Sequence, residues 1–393
     1  MLVCKWGFDG SSGHSQYKQS FADASCTDEF LYLVVLGPLR LQDVETENVM
    51  WVNPSPSSTL YCRPIKFIFK KENKELIRDE EKNILEKINN LNPFDIKFDN
   101  GQICTVVYTM FTMMDGSIAN IVSDTNATSK CIICQATTKH MNLENISRPS
   151  QIENYRFGLS TLHCWIRFFE CLLHIGYRLP IKSWQVKGAE NKEIIENNKK
   201  KIQAEFKSRM GLIVDKPKPG YGSSNDGNTA RSFFYNQELS SEILGIDKNL
   251  IVKFSIILRV LASGRPIKIE NFKELLGETK QVYLDLYRWY YMPSSVHKVL
   301  EHGCEIIESF SLPIGQLSED ALEARHKEVR KYRLFHTRKC SRISSNTDLL
   351  KRLLLTSEPL ISTKRKVTTR KSNKLDIDVQ KYLICEDIVE IIS

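Results

Sequence analysis

The first 120 residues carry an ordered series of strand and helix patterns, and this order restricts the fold more than any other feature of the sequence. Three successive segments are rich in alternating or continuous apolar residues and are bounded by turn-forming or charged residues. A segment with apolar residues at helical spacing follows them, and another strand-like segment ends the series. The predicted strands are residues 2–8, 30–41, 64–70 and 103–112, and the predicted helix is 74–91.

The order β-β-β-α-β is typical of the ribonuclease-H-like fold, in which three antiparallel strands are followed by a helix and a strand parallel to the first. A right-handed crossover sets that last strand beside the first. Asp9 and Asp115, each followed by glycine at a predicted strand end, should then be neighbours. We therefore predict an α/β protein with a ribonuclease-H-like core built on a mixed sheet.

The chain after residue 120 changes to mostly helical patterns with long loops. Helices are predicted over residues 157–177, 191–210, 238–263 and 271–291, and a loop over 216–228. A further helix is predicted from Ser318, a good N-cap, through Tyr332. Residues 362–374 have the composition of a solvated linker.

Charge and cysteine content indicate an intracellular protein with an acidic polymer as its partner. The net charge is +8, and residues 324–374 hold 16 Lys or Arg against three acids, Glu328, Asp348 and Glu358. The odd number of cysteines, 11, favours reduced thiols in the cytosol or nucleus and at most one metal site. No signal peptide is visible, and the longest apolar stretch, residues 164–177, contains Arg167, Glu170 and His174. We expect no membrane association.

Four acids are candidates for a divalent metal site: Asp9, Glu72, Asp115 and Glu323. Mg²⁺ and Mn²⁺ prefer carboxylate oxygens, and two such ions catalyse phosphoryl transfer when several acids converge. Each acid also has an ordinary interpretation. Asp-Gly at a strand end is usually only a turn, Glu323 can pair with Lys327 four residues later, and Glu72 lies in a charged run that would be solvated. Their shared position within one predicted fold favours the metal site.

Cys131 and Cys134 form a CxxC pair, which is compatible with zinc, with redox chemistry or with chance spacing. Possible partners are His140, His163, and the pair His297 and His302. The last two have the HxxxxH spacing of zinc sites. On a regular helix this spacing separates two side chains by about 140°, so the helix is expected to end or distort there.

The sequence resembles the catalytic core of the Transib transposases and of the V(D)J recombination-activating recombinase from about Lys5 to Pro359. Nine blocks occur in the family order: KWGFDGSSGHSQYKQ, YCRPIKFIFKKE, TMFTMMDGS, CIICQATTKHMN, FGLSTLHCWIRFFE, GNTARSFF, MPSSVHKVLEHGCEIIE, GQLSEDALEARHKEVRKYR and HTRKCSRISSNTDLLKRLL. They resemble the two aspartate blocks, the strand with an additional glutamate, the zinc cysteines, the zinc-domain helices, the catalytic glutamate helix and its basic tail.

The resemblance implies Asp9, Asp115 and Glu323 as a DDE triad, with Glu72 as a further metal-site acid. It implies one structural zinc on Cys131, Cys134, His297 and His302. His326 stands where the family commonly has Asn. The predicted regions are a catalytic sheet (1–118), a helical zinc-binding insertion (119–305), the glutamate helix with a basic DNA-contacting segment (306–360) and a flexible tail (361–393). The expected phosphate contacts are Arg325, Lys327, Arg330, Lys331, Arg338, Lys339 and Arg342.

The expected function is that of a DNA transposase or recombinase using two Mg²⁺ or Mn²⁺ ions to nick DNA and catalyse transesterification, hairpin formation and strand transfer. Double-stranded DNA is the expected partner. The family's N-terminal region, which recognises DNA ends and dimerises, is expected to be missing, because the chain starts eight residues before Asp9. A homodimer would require that region, and an accessory subunit is a further possible partner. The basic run Lys364-Arg365-Lys366 is compatible with nuclear import.

Three interpretations stay open at this point. The chain is such an enzyme, or it is a truncated or domesticated copy that binds DNA and zinc without cutting. A third interpretation is an unrelated helical zinc protein whose acids are surface charges.

Overall fold

The computed structural model describes residues 1–15, 21, 23, 26–125, 127–143, 148–217, 223–364 and 376–384 of a mixed α/β fold. The strands are β1 (Leu2–Ser11), β2 (Leu31–Gln42), β3 (Val49–Val52), β4 (Arg63–Ile68), β5 (Phe94–Lys97), β6 (Ile103–Val106) and β7 (Tyr108–Thr112). The helices are α1 (Lys74–Asn89), α2 (Gly116–Val122), α3 (Thr138–Met141), α4 (Thr161–Arg178), α5 (Ala189–Met210), α6 (Gly227–Tyr235), α7 (Gln237–Leu244), α8 (Lys248–Leu261), α9 (Ile269–Tyr287), α10 (Ser294–Glu308), α11 (Asp320–Phe335), α12 (Arg342–Thr356), α13 (Pro359–Lys364) and α14 (Ile377–Gln380).

The chain forms two compact units that interleave along the sequence. The sheet unit comprises residues 1–126, 156–160 and 316–368, and the helical unit comprises 127–155, 161–315 and 369–393. The helix α11, which carries Glu323, therefore belongs to the same unit as the sheet, although the whole series α3–α10 separates them in sequence.

The main sheet is mixed and has β1 at its centre. β2 runs antiparallel to β1 over their whole length, and β7 pairs parallel to β1 on the other side. The edge of β2 that faces away from β1 pairs with β4 along its first half and with β3 along its second half. The parallel pairing of the last strand with the first, expected from the crossover, is confirmed. The sequence patterns missed β3 and β5, and the predicted strand 103–112 is broken at Val107, because β6 pairs with β5 in a separate hairpin.

Helix α11 packs on the sheet through an apolar stripe and through buried basic residues. Its apolar residues Ala321, Leu322, Val329 and Tyr332 meet Leu31, Leu33 and Val35 of β2. Arg325 is fully buried and donates hydrogen bonds to the backbone oxygens of Cys62 (2.8 Å) and Thr59 (2.5 Å). It also donates to Glu328 and Thr356. A helix with few apolar residues is thus fixed to the sheet by satisfied polar contacts rather than by area alone.

Lys5 of β1 fixes the segment that leads into α11. Its buried Nζ donates to the backbone oxygens of Gln316 (2.9 Å) and Ser318 (2.7 Å). Burial lowers the pKa of Lys5 to about 8, against the opposing effects of Cys62, Glu319 and Asp320. The helix begins at Asp320 with Glu319 as its N-cap residue, so the predicted cap, Ser318, lies one position before the observed one. The Ser318 hydroxyl instead hydrogen-bonds the Asp320 carboxylate.

The helical unit is built around the apolar helix α4, which contacts α5, α6, α7, α8 and α10. Its core is aromatic, with Phe168 against Phe254 at 4.6 Å and Phe169 against Phe233 at 4.9 Å between ring centroids. The predicted helix 238–263 is divided at Gly245, whose φ of 68° ends α7 before Asp247 caps α8. Among the described helices, none is both long enough and apolar enough to cross a bilayer.

The predicted flexible tail, residues 361–393, is only partly described, since residues 365–375 and 385–393 lie outside the described part. The described residues 376–384 contradict the prediction. α14 buries Val379 in the helical unit, Leu383 is fully buried and forms a β-bridge with Ile267, and Asp376 pairs with Arg259. A short segment with buried apolar residues therefore docks within a region that was predicted to be a flexible tail.

Replacing Arg325 with methionine should destabilise the sheet unit strongly. The substitution keeps much of the volume, but it leaves the backbone oxygen of Cys62 without the Arg325 donor and removes one of the two donors to the Thr59 oxygen. We expect a loss of about 3 kcal/mol or more in the free energy of unfolding. Chemical denaturation measures the loss, and hydrogen exchange in peptides covering 320–335 locates it. The control Arg338→Met removes an exposed pair with Asp348 and should leave both measurements unchanged. Equal effects of the two substitutions would contradict the anchoring role of Arg325.

Candidate metal centres

The two aspartates of the sheet unit lie at corresponding points of the parallel strand pair. Pairing of β1 with β7 ends at Trp6 opposite Thr112, and Asp9 and Asp115 each follow three residues later. Asp9 is inside β1, which continues to Ser11 opposite β2, so the prediction that the strand ends at Phe8 is wrong. Asp115 is the N-cap of α2, and its Oδ1 accepts the Ile118 N–H at 2.7 Å. The predicted neighbourhood of the two positions thus follows from the strand register.

Glu72 reaches the same end of the sheet from the segment between β4 and α1. Its Oε2 accepts the Gly10 N–H at 2.8 Å, and the same N–H also lies 2.8 Å from Asp9 Oδ1. A Cβ at position 10 would stand 2.8 Å from both Cβ and Oε2 of Glu72. Glycine is therefore required at position 10 so that Glu72 can approach. At Gly116, by contrast, an added Cβ would meet nothing within 4 Å.

Glu323 joins this group from α11. His326, one turn later on the same helix, lies with Nδ1 3.6 Å from Asp9 Oδ2 and 3.8 Å from Glu323 Oε2. One ligand atom from each of Asp9, Glu323 and His326 falls within 4.8 Å of the others. Glu72 and Asp115 are outside this tight cluster. The sequence had marked His326 only as a departure from a family pattern, although its spacing of three from Glu323 on a helix puts both on one face.

The electrostatics of these acids differ from one position to the next. Burial raises the pKa of Glu72, the charge of Asp115 raises it further, and the Gly10 N–H opposes both. Burial also disfavours the ionised form of Glu323. The nearby His326, Lys327 and Arg330 outweigh that effect and hold the pKa of Glu323 below its ordinary value. A divalent ion would reduce the repulsion between these acids, because its positive charge stabilises their ionised forms.

A second cluster lies entirely in the helical unit, where Cys131 and Cys134 form a tight turn. The Cys131 N–H donates to the Ala136 oxygen, and the Gln135 N–H donates to the Cys131 oxygen, both at 2.9 Å. Gln135 takes a left-handed conformation with φ 58°, which lets the chain reverse after the second cysteine. The turn therefore presents both thiols to one side, as a zinc knuckle requires.

His297 and His302 approach the knuckle from α10. The expectation that the helix must end or distort between them is wrong, because α10 is continuous from Ser294 to Glu308. The side chains make up for the helical angle, and their rings meet edge to face with centroids 5.4 Å apart. His297 Nε2 lies 3.3 Å from the Cys134 sulfur. The ligand atoms of Cys131, Cys134, His297 and His302 all lie within 4.8 Å of one another, and all four residues are buried.

Asn142 sets the distance between the knuckle and α10. Its Nδ2 donates to the oxygens of Arg288 and Tyr290, both at 2.8 Å, and its Oδ1 accepts the Met292 N–H at 2.9 Å. These bonds tie the segment after α3 to the loop that starts α10. Asn142 carried no signal in the sequence patterns, because its role depends on two segments that are distant in the chain.

The four residues fit a zinc ion. The hydrogen bond with Cys131, together with those from His297 and His302, holds the pKa of Cys134 well below its ordinary value, which favours a thiolate. Among the residues that the structure describes, none is a hydrogen-bond partner of His297 Nδ1 or His302 Nε2. A cleft of about 520 Å³, lined also by His140, Arg148 and Lys280, adjoins the cluster and gives an ion a way in. The Cys/His cluster is therefore compatible with zinc.

The basic residues that were expected to contact DNA divide into two sets. Arg325 is wrong as a DNA contact, because it is fully buried within the sheet unit. Arg330 is partly buried and donates to the Ser12 oxygen, and Arg342 lies over the Phe21 ring. Lys327, Lys331, Arg338 and Lys339 are exposed, although Arg338 is paired with Asp348. The exposed set is the part of the prediction that can reach a phosphate.

Comparisons with known proteins add little. Neither a protein-family model nor a curated protein sequence matches the chain. Among solved structures, the chain is similar to a Drosophila P element transposase strand transfer complex, at 10% identity, with 92% of this chain and 78% of that chain covered and a TM-score of 0.34. This likeness is too slight to support a conclusion about fold or function.

We expect the helical unit to hold one zinc ion that depends on both halves of the cluster. Substituting either His302→Ala or Cys134→Ser should reduce bound zinc from about one equivalent to a small fraction, because three ligands from two distant segments bind much more weakly than four. Elemental analysis of the purified chain measures the content. His140→Ala is the matched control, since His140 lines the same cleft but bonds Thr137. Zinc content that is unchanged in the His302 variant would refute the four-ligand site.

Proposed function

We propose that the chain is the catalytic part of a metal-dependent DNA transposase or recombinase that nicks DNA and joins strands by transesterification. The observation that carries the proposal is the convergence of Asp9, Glu72 and Glu323 on one end of the parallel strand pair, where Asp115 raises the pKa of Glu72 by its charge. Acids from four separate segments of the chain meet there. Surface charges scattered by chance would not lie half-buried at one end of a strand pair, with two of them, Asp9 and Glu72, accepting from one backbone N–H, so this convergence disfavours the interpretation as an unrelated zinc protein.

The residues have separate tasks in this proposal. Asp9, Asp115 and Glu323, with Glu72, would hold two Mg²⁺ or Mn²⁺ ions, which supply an activated water or 3′-hydroxyl and charge neutralisation at the phosphate. Gly10 keeps the approach of Glu72 open, and its N–H orients two of the carboxylates. Arg325 and Lys5 hold α11 in place so that Glu323 stays beside Asp9. Positioning and charge compensation are the protein's contributions to such a reaction.

The finer assignments follow from the same proposal. The mixed sheet, with its parallel β1–β7 pair, supports a ribonuclease-H-like core, and the motif order supports membership of the Transib and recombination-activating family. In that scheme the cluster in the helical unit is a structural zinc site that joins the knuckle to α10. The proposed partner is double-stranded DNA, and a second copy of the chain and an accessory subunit are further proposed partners. The site of action is then the nucleus.

The second candidate is a DNA- and zinc-binding relative of such an enzyme that no longer cuts. The buried His326 beside Asp9 and Glu323 favours it, because an imidazole, which Mg²⁺ binds less well than it binds oxygen ligands, lies next to two of the carboxylates. The two candidates agree on DNA binding and differ on nicking in the presence of Mg²⁺ or Mn²⁺.

Replacing Asp115 with asparagine should abolish nicking of supercoiled plasmid DNA and leave DNA binding intact. Asparagine caps a helix as well as aspartate does, so α2 keeps its N-terminal hydrogen bond while the negative charge is lost. We expect nicking to fall about 10³-fold, or about 4 kcal/mol of transition-state stabilisation. Gel assays of nicking and filter assays of binding measure the two properties.

The matched control for this experiment is Asp226→Asn. Asp226 caps α6 in the helical unit by the same contact, with its Oδ1 accepting the Thr229 N–H at 2.9 Å. This variant undergoes the same chemical change away from the acids and should nick normally. Nicking that survives in Asp115→Asn would refute the assignment, and a wild-type chain that binds DNA but never nicks it would favour the second candidate.

DNA binding should be salt-dependent and should involve the exposed lysines of α11 and its C-terminal extension. Lys331→Ala removes one phosphate contact, so the slope of log affinity against log salt should become shallower by about 0.9. Lys82→Ala, an exposed lysine on α1, is the control and should leave the slope unchanged. Fluorescence anisotropy over a salt series measures both. Identical slopes in the wild type and Lys331→Ala would exclude this face of α11 as the phosphate-binding surface.

A further inference from the structure

We propose that His326 is itself a metal ligand, which gives the centre an Asp9–Glu323–His326 donor set that favours a first-row transition ion such as Mn²⁺ over Mg²⁺. The inference deepens the proposed function, on which its catalytic meaning depends, while ion binding can be measured without any reaction.

The distances from His326 to the two carboxylates fit a shared ion. His326 Nδ1 stands 3.6 Å from Asp9 Oδ2 and 3.8 Å from Glu323 Oε2. Two ligand atoms that each bind one ion at about 2.1 Å cannot be more than about 4.2 Å apart. Both separations fall inside this limit. They are also too long for hydrogen bonds, so the imidazole does not simply bond the carboxylates in the structure.

The burial of the His326 ring also favours a metal ligand at this position. The His326 side chain is only 3% exposed, and neither of its ring nitrogens has a hydrogen-bond partner among the described residues. A buried polar ring without a partner is unfavourable unless something else satisfies it. The ring lies against two carboxylates that would share the same ion, and a metal ion at that point would satisfy Nδ1 and both acids together.

The chemistry of the donor set favours a transition ion over Mg²⁺. Mg²⁺ prefers oxygen ligands and a regular octahedron, and it keeps several waters. An imidazole nitrogen is a softer donor that binds first-row transition ions better than it binds Mg²⁺. Two carboxylate oxygens and one imidazole nitrogen therefore select Mn²⁺ or a later ion. Glu72 and Asp115, which lie outside the tight cluster, would be left to a second ion with oxygen ligands only.

Pulsed electron paramagnetic resonance of Mn²⁺ bound to the full zinc-loaded chain tests the proposal directly. An imidazole ligand produces nitrogen modulation of the Mn²⁺ signal, and we expect this modulation in the wild type. It should persist in His336→Asn, which removes an exposed imidazole at the C-terminal end of α11, and disappear in His326→Asn. Wild-type spectra without nitrogen modulation overturn the proposal, and that result does not depend on the folding of any variant.

Ion titrations supply the second measurement. His326→Asn should weaken Mn²⁺ binding about tenfold or more, since lost ligands and their supports reduce metal affinity by such factors, and should change Mg²⁺ binding much less. His336→Asn at the exposed end of α11 is the matched control and should alter neither ion. If both ions bind more tightly in His326→Asn, His326 is a counter-charge. If both bind equally weakly, it only positions the acids, and either result overturns the proposal.

The failure of this inference is distinguishable from failure of the proposed function. Absence of nitrogen modulation in a wild-type chain that nicks DNA normally would remove His326 from the metal and leave the enzyme proposal intact. A nitrogen-ligated Mn²⁺ in a chain that never nicks DNA would support the ligand assignment and refute the catalytic role.

Discussion

The buried contacts of Arg325 and Lys5 hold the sheet unit together at the point where its acids meet. Both side chains donate to backbone oxygens of segments that are distant in the chain, Arg325 to Cys62 and Thr59 and Lys5 to Gln316 and Ser318. A helix with the composition of α11 would be soluble on its own, since few of its residues are apolar. These donors fix its rotation and its height on the sheet, so Glu323 can stand beside Asp9.

This arrangement brings acidic side chains close together, which disfavours their ionised forms. The carboxylates of Asp9 and Glu72 share the Gly10 N–H, while burial and the charge of Asp115 raise the pKa of Glu72. Close-packed acids are unfavourable without a counter-charge. The buried contacts of Arg325 and Lys5 keep α11 in position on the sheet and so keep the acids close together. A divalent ion bound there would offset the repulsion between them. A site under this kind of strain is characteristic of a functional centre.

The helical unit solves a similar problem in another way. Its Cys/His cluster joins two segments that are far apart in sequence, and Asn142 holds those segments at a fixed distance through three backbone groups. The aromatic core around α4 provides the stability, so the cluster does not have to hold the unit together alone. The metal-compatible geometry is therefore built into the packing of the helical unit.

The sequence by itself determined the local elements and the chemistry of their residues. Alternation and helical spacing predicted β1, β2, β4 and α1, and the crossover rule predicted the parallel pairing of β7 with β1. The CxxC and HxxxxH spacings gave candidate ligands, which the family resemblance joined into one Cys/His cluster. Local patterns do not reveal partners that come from distant segments, so β3, β5, the role of Asn142 and the docking of α14 were not predicted. The same limit misassigned Arg325 as a DNA contact.

Only the tertiary structure decided which polar residues face each other. The sequence showed only that a glycine follows Asp9, and the structure shows that Gly10 leaves room for Glu72. His326 differed from the residue common in the similar family, and the rotation of α11 turns it toward Asp9 and Glu323. The continuous helix under His297 and His302 shows that side-chain rotamers, which spacing does not specify, can close a gap that the backbone angle leaves open. The physical reason is the same in each case: spacing fixes a residue's direction on its own element, while burial against other elements fixes what that direction meets.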